Sequence, residues 1–398
     1  IPGLGQFSTA DEIADKVAAN LDISKRSFLS PEQIDKMIDL APEEYLTVRR
    51  LTYQGKSSYL RFMLSDNNPI PGEAEVMAAL KRLLVKYPKV AFLAGNNERG
   101  VNFKGDREYQ VIGSKRTTRQ SLINKGFDVI SVDLTGENIP ADVDIAVLGD
   151  PMIPLGEQER QKITAFINKG GNMIITGEPG RQAILNPVLQ PLGISLKPGV
   201  LIKPDVNVTP GFMNGIVTKY AGSLDSNLAR IYNRQGTVAM QGAAAIDYTA
   251  PGPFTVHPLL LSGPGGWNKA TYEEPSILDL APDTLHGDQV GEFPIAVALT
   301  RQAGGRQQRI FVSGDADFIS NGEFSRTARG YNQYFFEGIA RWLTYGSFPV
   351  DVNRPPYKDN MIHISKNTIE VLNYVCKGII PGIIAVLGLI LLFRRRMN

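Results

Sequence analysis

The residues best equipped for chemistry sit in four short polar turns, each directly after an apolar run. Asn96-Asn97-Glu98-Arg99 follows VAFLAG, Asp150 follows IAVLG, Glu178 follows NMIITG, and Asp315 with Asp317 follows RIFVSG. If those runs are parallel strands, ligands belong in the crevice outside their carboxyl ends. The expectation is therefore that the turns converge, and that Asn96, Asn97, Glu98, Arg99, Asp150, Glu178, Asp315 and Asp317 bind a ligand. Asn, Asp and Gly also cap helices and form turns, so each position carries a structural reading beside the functional one.

Motifs narrow the chemistry. A nucleophile elbow needs Ser or Cys on a tight strand-to-helix turn, where the attacking atom is exposed beside oxyanion donors. The most elbow-like stretch, TGEPGRQ, carries Glu178 instead. The single cysteine, Cys376, lies in an apolar tail, where a thiol behaves as a small hydrophobe. No G-x-x-x-x-G-K-[ST] or G-x-G-x-x-G follows a strand, so no phosphate cradle is present and ATP hydrolysis by this chain is not expected. GPGGW (263–267) reads as a loop. His257, His286 and His363 lack ligand spacing. Asp315 and Asp317 alternate as carboxylates around hard cations do, but ordinary capping preference favours a turn that caps the next helix over a cation site. No metal and no cofactor are expected, and no catalytic residue is assigned. The alternative is a membrane-tethered hydrolase that uses Glu98, Asp150, Glu178, Asp315 or Asp317, with or without a metal. A net charge of +2 over 398 residues provides no basic field for nucleic acid.

Positioning these turns requires a sheet. From Pro88 onward, VAFLAG, DVISVDL, IAVLGD and NMIITG read as strands, with TRQSLINKG and EQERQKITAFINKGG as crossover helices. Fully apolar strands interleaved with helices imply a parallel sheet covered on both faces. The fold class is thus α/β, with a mostly parallel Rossmann-like or flavodoxin-like sheet. Regularity weakens over about 197–289, which reads as a β-rich insertion before PIAVALT and RIFVSGD resume the sheet. NQYFFEGIARWLTYG closes the domain, with Phe335, Ile339 and Trp342 at core spacing. This α/β domain spans 88–350 and is followed by a linker at 351–370. Ahead of it, 1–87 reads as an α+β region. Ser8 and Ser30 precede helical runs, with Glu12 and Gln33 a turn later, and LTVRRLTYQ and KSSYLRFML form a hairpin. GEAEVMAALKRLLVK places Val76, Leu80, Leu83 and Leu84 on one helix face.

The chain then turns membrane-like. Val371 to Phe393 is apolar enough, at about 1.5 Å per residue, to cross a hydrocarbon layer of about 30 Å. Lys377 can snorkel to one interface. Arg394, Arg395 and Arg396 place residues 394–398 in the cytoplasm by the positive-inside bias, and the large domain outside it. The opening IPGLGQ lacks an initiator methionine and a signal pattern, which suggests processing and a missing upstream span.

Several stretches in order resemble the gliding-motility-associated ABC transporter auxiliary proteins, the GldG-like family. They are APEEYLTVRRLTYQGKSSYLRF, GEAEVMAALKRLL, KVAFLAGNNERG followed by GDREY, LINKGFDVISVDLT, ADVDIAVLGDP, ITAFINKGGNMIITGEP, FPIAVALTR and RIFVSGDADFISN. The resemblance implies a non-catalytic, membrane-anchored auxiliary subunit in the bacterial inner membrane, with a periplasmic domain, working beside an ABC-type permease and ATPase on an unknown cargo. It also implies a core similar to class I glutamine amidotransferases without their cysteine. Relatives tend to carry Gly-His-Gly-Glu after the first strand, where this chain has Gly95-Asn96-Asn97-Glu98.

Overall fold

The computed structural model describes residues 9–204, 210–248, 252–271, 281–326, 330–354 and 365–396. Ser8, the IPGLGQ opening, His363 and residues 355–364 of the 351–370 segment lie outside the described residues. The chain divides into two units, Ile1–Val352 and Asn353–Asn398.

In the first unit the strands are β1 (Val48–Tyr53), β2 (Lys56–Arg61), β3 (Lys89–Ala94), β4 (Asp128–Asp133), β5 (Ile145–Gly149), β6 (Asn172–Thr176), β7 (Ile194–Leu196) and β8 (Val200–Ile202). They continue with β9 (Met213–Val217), β10 (Thr237–Met240), β11 (Ile246–Tyr248), β12 (Thr255–Leu261), β13 (Trp267–Lys269), β14 (Gln289–Val290), β15 (Pro294–Ala303) and β16 (Arg306–Ser313). Nine of them form one sheet in the order β10-β9-β12-β15-β16-β6-β5-β3-β4. The sheet is mixed. From β16 through β6, β5 and β3 to β4 all neighbours are parallel, whereas β15 and the strands beyond it pair antiparallel. The segment read as a β-rich insertion thus supplies β9, β10 and β12 to the main sheet itself.

The parallel half is apolar on both faces because each face carries its own core. Val90, Phe92, Ile145, Val147, Ile174 and Phe311 pack on one side with Phe335, Ile339 and Trp342 of the helix Asn332–Leu343. Ala91, Leu93, Ala146, Leu148, Met173, Ile175 and Val312 pack on the other with Ile163 and Ile167 of the helix Glu157–Asn168. Each fully buried side chain of this size stabilises the fold by roughly 1.5–3 kcal/mol. Side chains alternate between faces in every strand, so a one-residue slip would exchange the two cores.

Three sequence expectations change. The run TRQSLINKG forms only a short turn, Leu122–Asn124. Its polar side chains bond to loop carbonyls instead of leaving the backbone to coil: Ser121 donates to Gly113 O and Asn124 to Arg116 O and Thr118 O. In the helix Glu73–Leu84 the buried face is Glu75, Ala78, Ala79 and Leu83, while Leu80 and Leu84 are exposed. Burial of Glu75 rotates the helix from its expected orientation, and the carboxylate is held by Arg119 and Lys125. Finally, the first helix, Ala10–Leu21, is capped by Thr9. The Ser30 cap with its Gln33 partner forms as expected, as does the β1–β2 hairpin.

In the second unit, Asn367–Arg395 is 29 residues of helix, long and apolar enough to cross a membrane. It contains a π-helical stretch, Val375–Ile379, in which the Ile380 N–H bonds to Val375 O. Pro381 follows immediately. Because it has no N–H and its ring crowds the preceding turn, a widened turn is the local solution.

Candidate functional site

Backbone bonds extend the sheet ladder past the strand ends and lace the four polar turns together. Arg99 N–H donates to Gly149 O at 2.7 Å, Asp150 N–H to Thr176 O at 2.8 Å, and Gly177 N–H to Ser313 O at 3.0 Å. Residues that follow β3, β5, β6 and β16 therefore stand side by side at the carboxyl edge.

Arg99 is the hub. Its guanidinium pairs with Asp150 at 3.4 Å, with Glu178 at 3.0 Å and with Asp317. The Arg99 side chain is only 4% exposed and that of Asp150 2%. Below lies Tyr109, whose ring centroid is 5.8 Å from the guanidinium carbon, a cation–π distance. The Tyr109 hydroxyl donates to Ala316 O and touches Thr176 Oγ1, both at 2.8 Å. Space here is tight. A Cβ at Gly149 would come within 2.9 Å of the Tyr109 ring and 3.3 Å of Arg99 Cβ, so only glycine fits the end of β5. Asp150 and Asn97 both hold left-handed backbone, φ 44° and 56°, a conformation Asp and Asn tolerate better than most residues.

Every carboxylate in the cluster is engaged. Asp150 Oδ1 pairs with Arg181 at 3.1 Å and Oδ2 with Arg107 at 3.3 Å. Glu178 Oε1 accepts the Ala316 and Asp317 N–H groups at 2.8 and 3.1 Å. Asp315, fully buried, accepts from Phe318 N–H at 2.7 Å across the turn that leads into the short helix Asp317–Ile319, whose N-cap residue is Ala316. Burial pushes the Asp315 carboxyl up to about 8, with Asp317 adding to the rise. Burial and the neighbouring Asp315 likewise hold Glu178 well above the usual carboxylate range, against the pull of Arg99. Asp150 is raised by burial, with Arg99, Arg181 and Arg107 opposing. Desolvation disfavours charge on Arg99, but Tyr109 and the acidic neighbours outweigh it, and its proton is held more tightly than usual.

The expected residues divide into two groups. Arg99, Asp150, Glu178, Asp315 and Asp317 come together. Asn96 and Glu98 turn aside: Glu98 Oε2 accepts the Asn96 N–H at 2.6 Å and the Asn96 amide reaches Glu159. Glu98 Oε1 is buried with no hydrogen-bond partner among the described residues, and burial raises that carboxyl. Asn97 is exposed and contributes its carbonyl to Arg107. Sequence reasoning missed Arg107, Tyr109 and Thr176 as members and assigned no role to Arg181, which lies in the same turn as Glu178. The stretches GDREY and EPGRQ held the signal, since both place arginine beside an acidic turn. Of the histidines, His257 stacks on Tyr220 and His286 bonds Asp283. Among the described residues no group of His, Cys, Asp and Glu is arranged to hold a metal ion.

Fold and site together define a mixed α/β domain whose strand-end crevice is filled by an arginine–carboxylate network, on a chain that also carries one apolar helix of membrane-spanning length. A protein-family model described as "ABC-type uncharacterized transport system" matches residues 87–341. The chain belongs to that family of ABC transport auxiliary proteins. No curated protein matches it. Among solved structures it is similar to the mmIFT52 N-terminal domain, at 13% identity and TM-score 0.44, covering 65% of this chain and 98% of that one. A putative ThuA-like protein from Parabacteroides merdae is similar at 13% identity and TM-score 0.35, covering 68% and 94%. The cold-adapted β-galactosidase of Rahnella sp. R3 is similar at 12% identity and TM-score 0.32, covering 65% and 31%.

Proposed function

We propose that this protein is a non-catalytic subunit of an ABC-type transport complex, anchored in the inner membrane by its C-terminal helix, with its α/β domain in the periplasm. Its partners are a permease and an ATPase, and the GldG-like resemblance extends the proposal to a gliding-motility system. The observation that carries the reading is the family match over 87–341, which embraces the whole parallel sheet and the Arg99 cluster. In chain order the parallel strands lie 2-1-3-4-5, and that order supports a flavodoxin-like reading of the domain, with Asn96–Arg99 and Asp150 at its switch point.

In this reading Arg99 does structural work where a doubly wound enzyme places its reactive groups. Ligand contact falls to the accessible rim: Asn97, Arg107, Arg181 and the outer oxygen of Asp317. The domain acts by binding, and the conformational work comes from the ATPase. One observation favours the hydrolase alternative: Asp315 and Glu178 are both held toward the protonated form, as a general acid is. Complementation of a deletion strain separates the two. Glu178→Gln and Asp315→Asn retain activity if the cluster is structural, whereas deletion of 371–398 abolishes it by releasing the domain from the membrane. Loss of activity in either conservative variant, at normal protein level and partner association, would establish carboxylate chemistry instead.

A further inference from the structure

A cavity lies at the opposite edge of the sheet from the Arg99 cluster. It is a groove of about 460 Å³ between the loop preceding β5, the C-terminal half of the helix Glu157–Asn168 and the β15–β16 turn. That volume falls within the range of small-molecule sites. Ile139, Pro140 and Phe166 form an apolar wall, and Lys162, Lys169 and Arg306 supply the charge; among the described residues no acidic side chain lines it.

The cations are positioned. Gly304 and Gly305 hold φ of 58° and 83°, the paired positive angles of a tight hairpin turn, and they present Arg306 at the first position of β16. Its guanidinium is steadied by Tyr345, 5.3 Å from the ring centroid. Gly170 ends the helix with φ 86°, and a Cβ there would sit 3.4 Å from Ala303 Cβ, so helix end and hairpin tip abut. Lys162 Nζ donates to Leu134 O at 2.6 Å, which fixes its ammonium in the wall. The helix's C-terminal carbonyls do not compete for these charges. Ile167 O, for example, accepts from Arg301, Gln308 and Gly170. Nor do nearby carboxylates: Asp142 and Asp144 of the same loop pair with Lys89 and Lys86. Among the described residues neither Lys169 nor Arg306 has an ion-pair partner.

We infer that this groove binds a small amphiphilic anion, its aryl or short acyl body against Phe166, Ile139 and Pro140 and its phosphate or carboxylate between Lys169, Arg306 and Lys162. Apolar contact and charge-assisted bonds act on opposite ends of one molecule, so neither half alone suffices. The site is independent of the Arg99 cluster, and its occupancy is measured without reference to transport.

Phenyl phosphate is the probe, titrated by saturation-transfer NMR against the full chain in nanodiscs of zwitterionic lipid. The wild type is expected to bind it at least tenfold more tightly than inorganic phosphate or benzyl alcohol. The double variant Lys169→Ala/Arg306→Ala should lose at least tenfold in affinity with an unchanged melting temperature, because both side chains are exposed. Phe166→Leu should weaken phenyl phosphate while leaving the weak response to inorganic phosphate as it was. Absence of phenyl phosphate binding, equal affinity in the double variant, or inorganic phosphate binding as tightly as phenyl phosphate would overturn the inference.

Discussion

Replacing Arg99 by methionine removes the charge while keeping much of the side-chain volume, and the surrounding carboxylates set the cost. The Arg99 side chain is 4% exposed and pairs with carboxylates that are 2%, 16% and 31% exposed. Removing one partner of a buried pair costs about 3–5 kcal/mol, mostly because the remaining charge stays buried. Asp150 retains Arg107 and Arg181, and Glu178 retains two backbone N–H donors, so the expected loss is about 3 kcal/mol. At roughly 2–4 °C per kcal/mol for domains of this order, melting should fall by about 6–12 °C. The loss also depends on pH. Arg99 stabilises the ionised forms of Asp150 and Glu178, so without it their pKa values in the folded state rise further above those of the unfolded chain. The variant's stability is then greatest where the carboxyls are protonated and is lost as pH rises, and the deficit against wild type grows from pH 5 to pH 8. Urea unfolding of the full chain in micelles, followed by the fluorescence of Trp267 and Trp342, measures it at both pH values. A loss under about 1 kcal/mol, or one equal at pH 5 and pH 8, would refute the reasoning.

Other expectations rest on the same geometry. The Asp315 carboxyl is raised from 3.8 to about 8, so it contributes stability fully below about pH 4 that is lost as pH rises through 8. Asp315→Asn should remove that slope, gaining on the wild type between pH 5 and pH 8.5 by at most on the order of 5 kcal/mol; parallel unfolding curves would contradict it. Tyr109→Phe leaves Ala316 O and Thr176 Oγ1 without their shared partner and should cost about 1–2 kcal/mol in the same assay, with no loss if the hydroxyl is idle. For topology, protease added outside spheroplasts should digest the large domain before lysis, whereas protection until lysis would reverse the orientation.

How much was legible depended on whether a signal was local. Strands β3, β5, β6 and β16 announced themselves as unbroken apolar runs because both sheet faces are covered, and the membrane-length helix and the Ser30 cap are equally local patterns. Convergence of Asp150, Glu178, Asp315 and Asp317 could be expected from their place after strands. The role of Arg99 could not, since it depends on three carboxylates brought from 51, 79 and 218 residues away. Helix Glu73–Leu84 misled for a related reason: its leucine spacing suggested one face, but Arg119 and Lys125, distant in sequence, made Glu75 the buried residue. The place of β9, β10 and β12 in the main sheet was hidden as well, because turn-punctuated Gly- and Pro-rich sequence separates them and made the stretch read as an insertion.

The central claim is membership of a transport complex, and the most direct measurement is the subunit composition of material purified from native membranes in mild detergent through a tag on this chain, read by mass spectrometry at native expression level. An ABC permease and its ATPase should appear in fixed ratio to the tagged chain, retained in Glu178→Gln and lost on deletion of 371–398. An intact, folded chain that elutes alone, with both transporter subunits left behind in the same membranes, would contradict it.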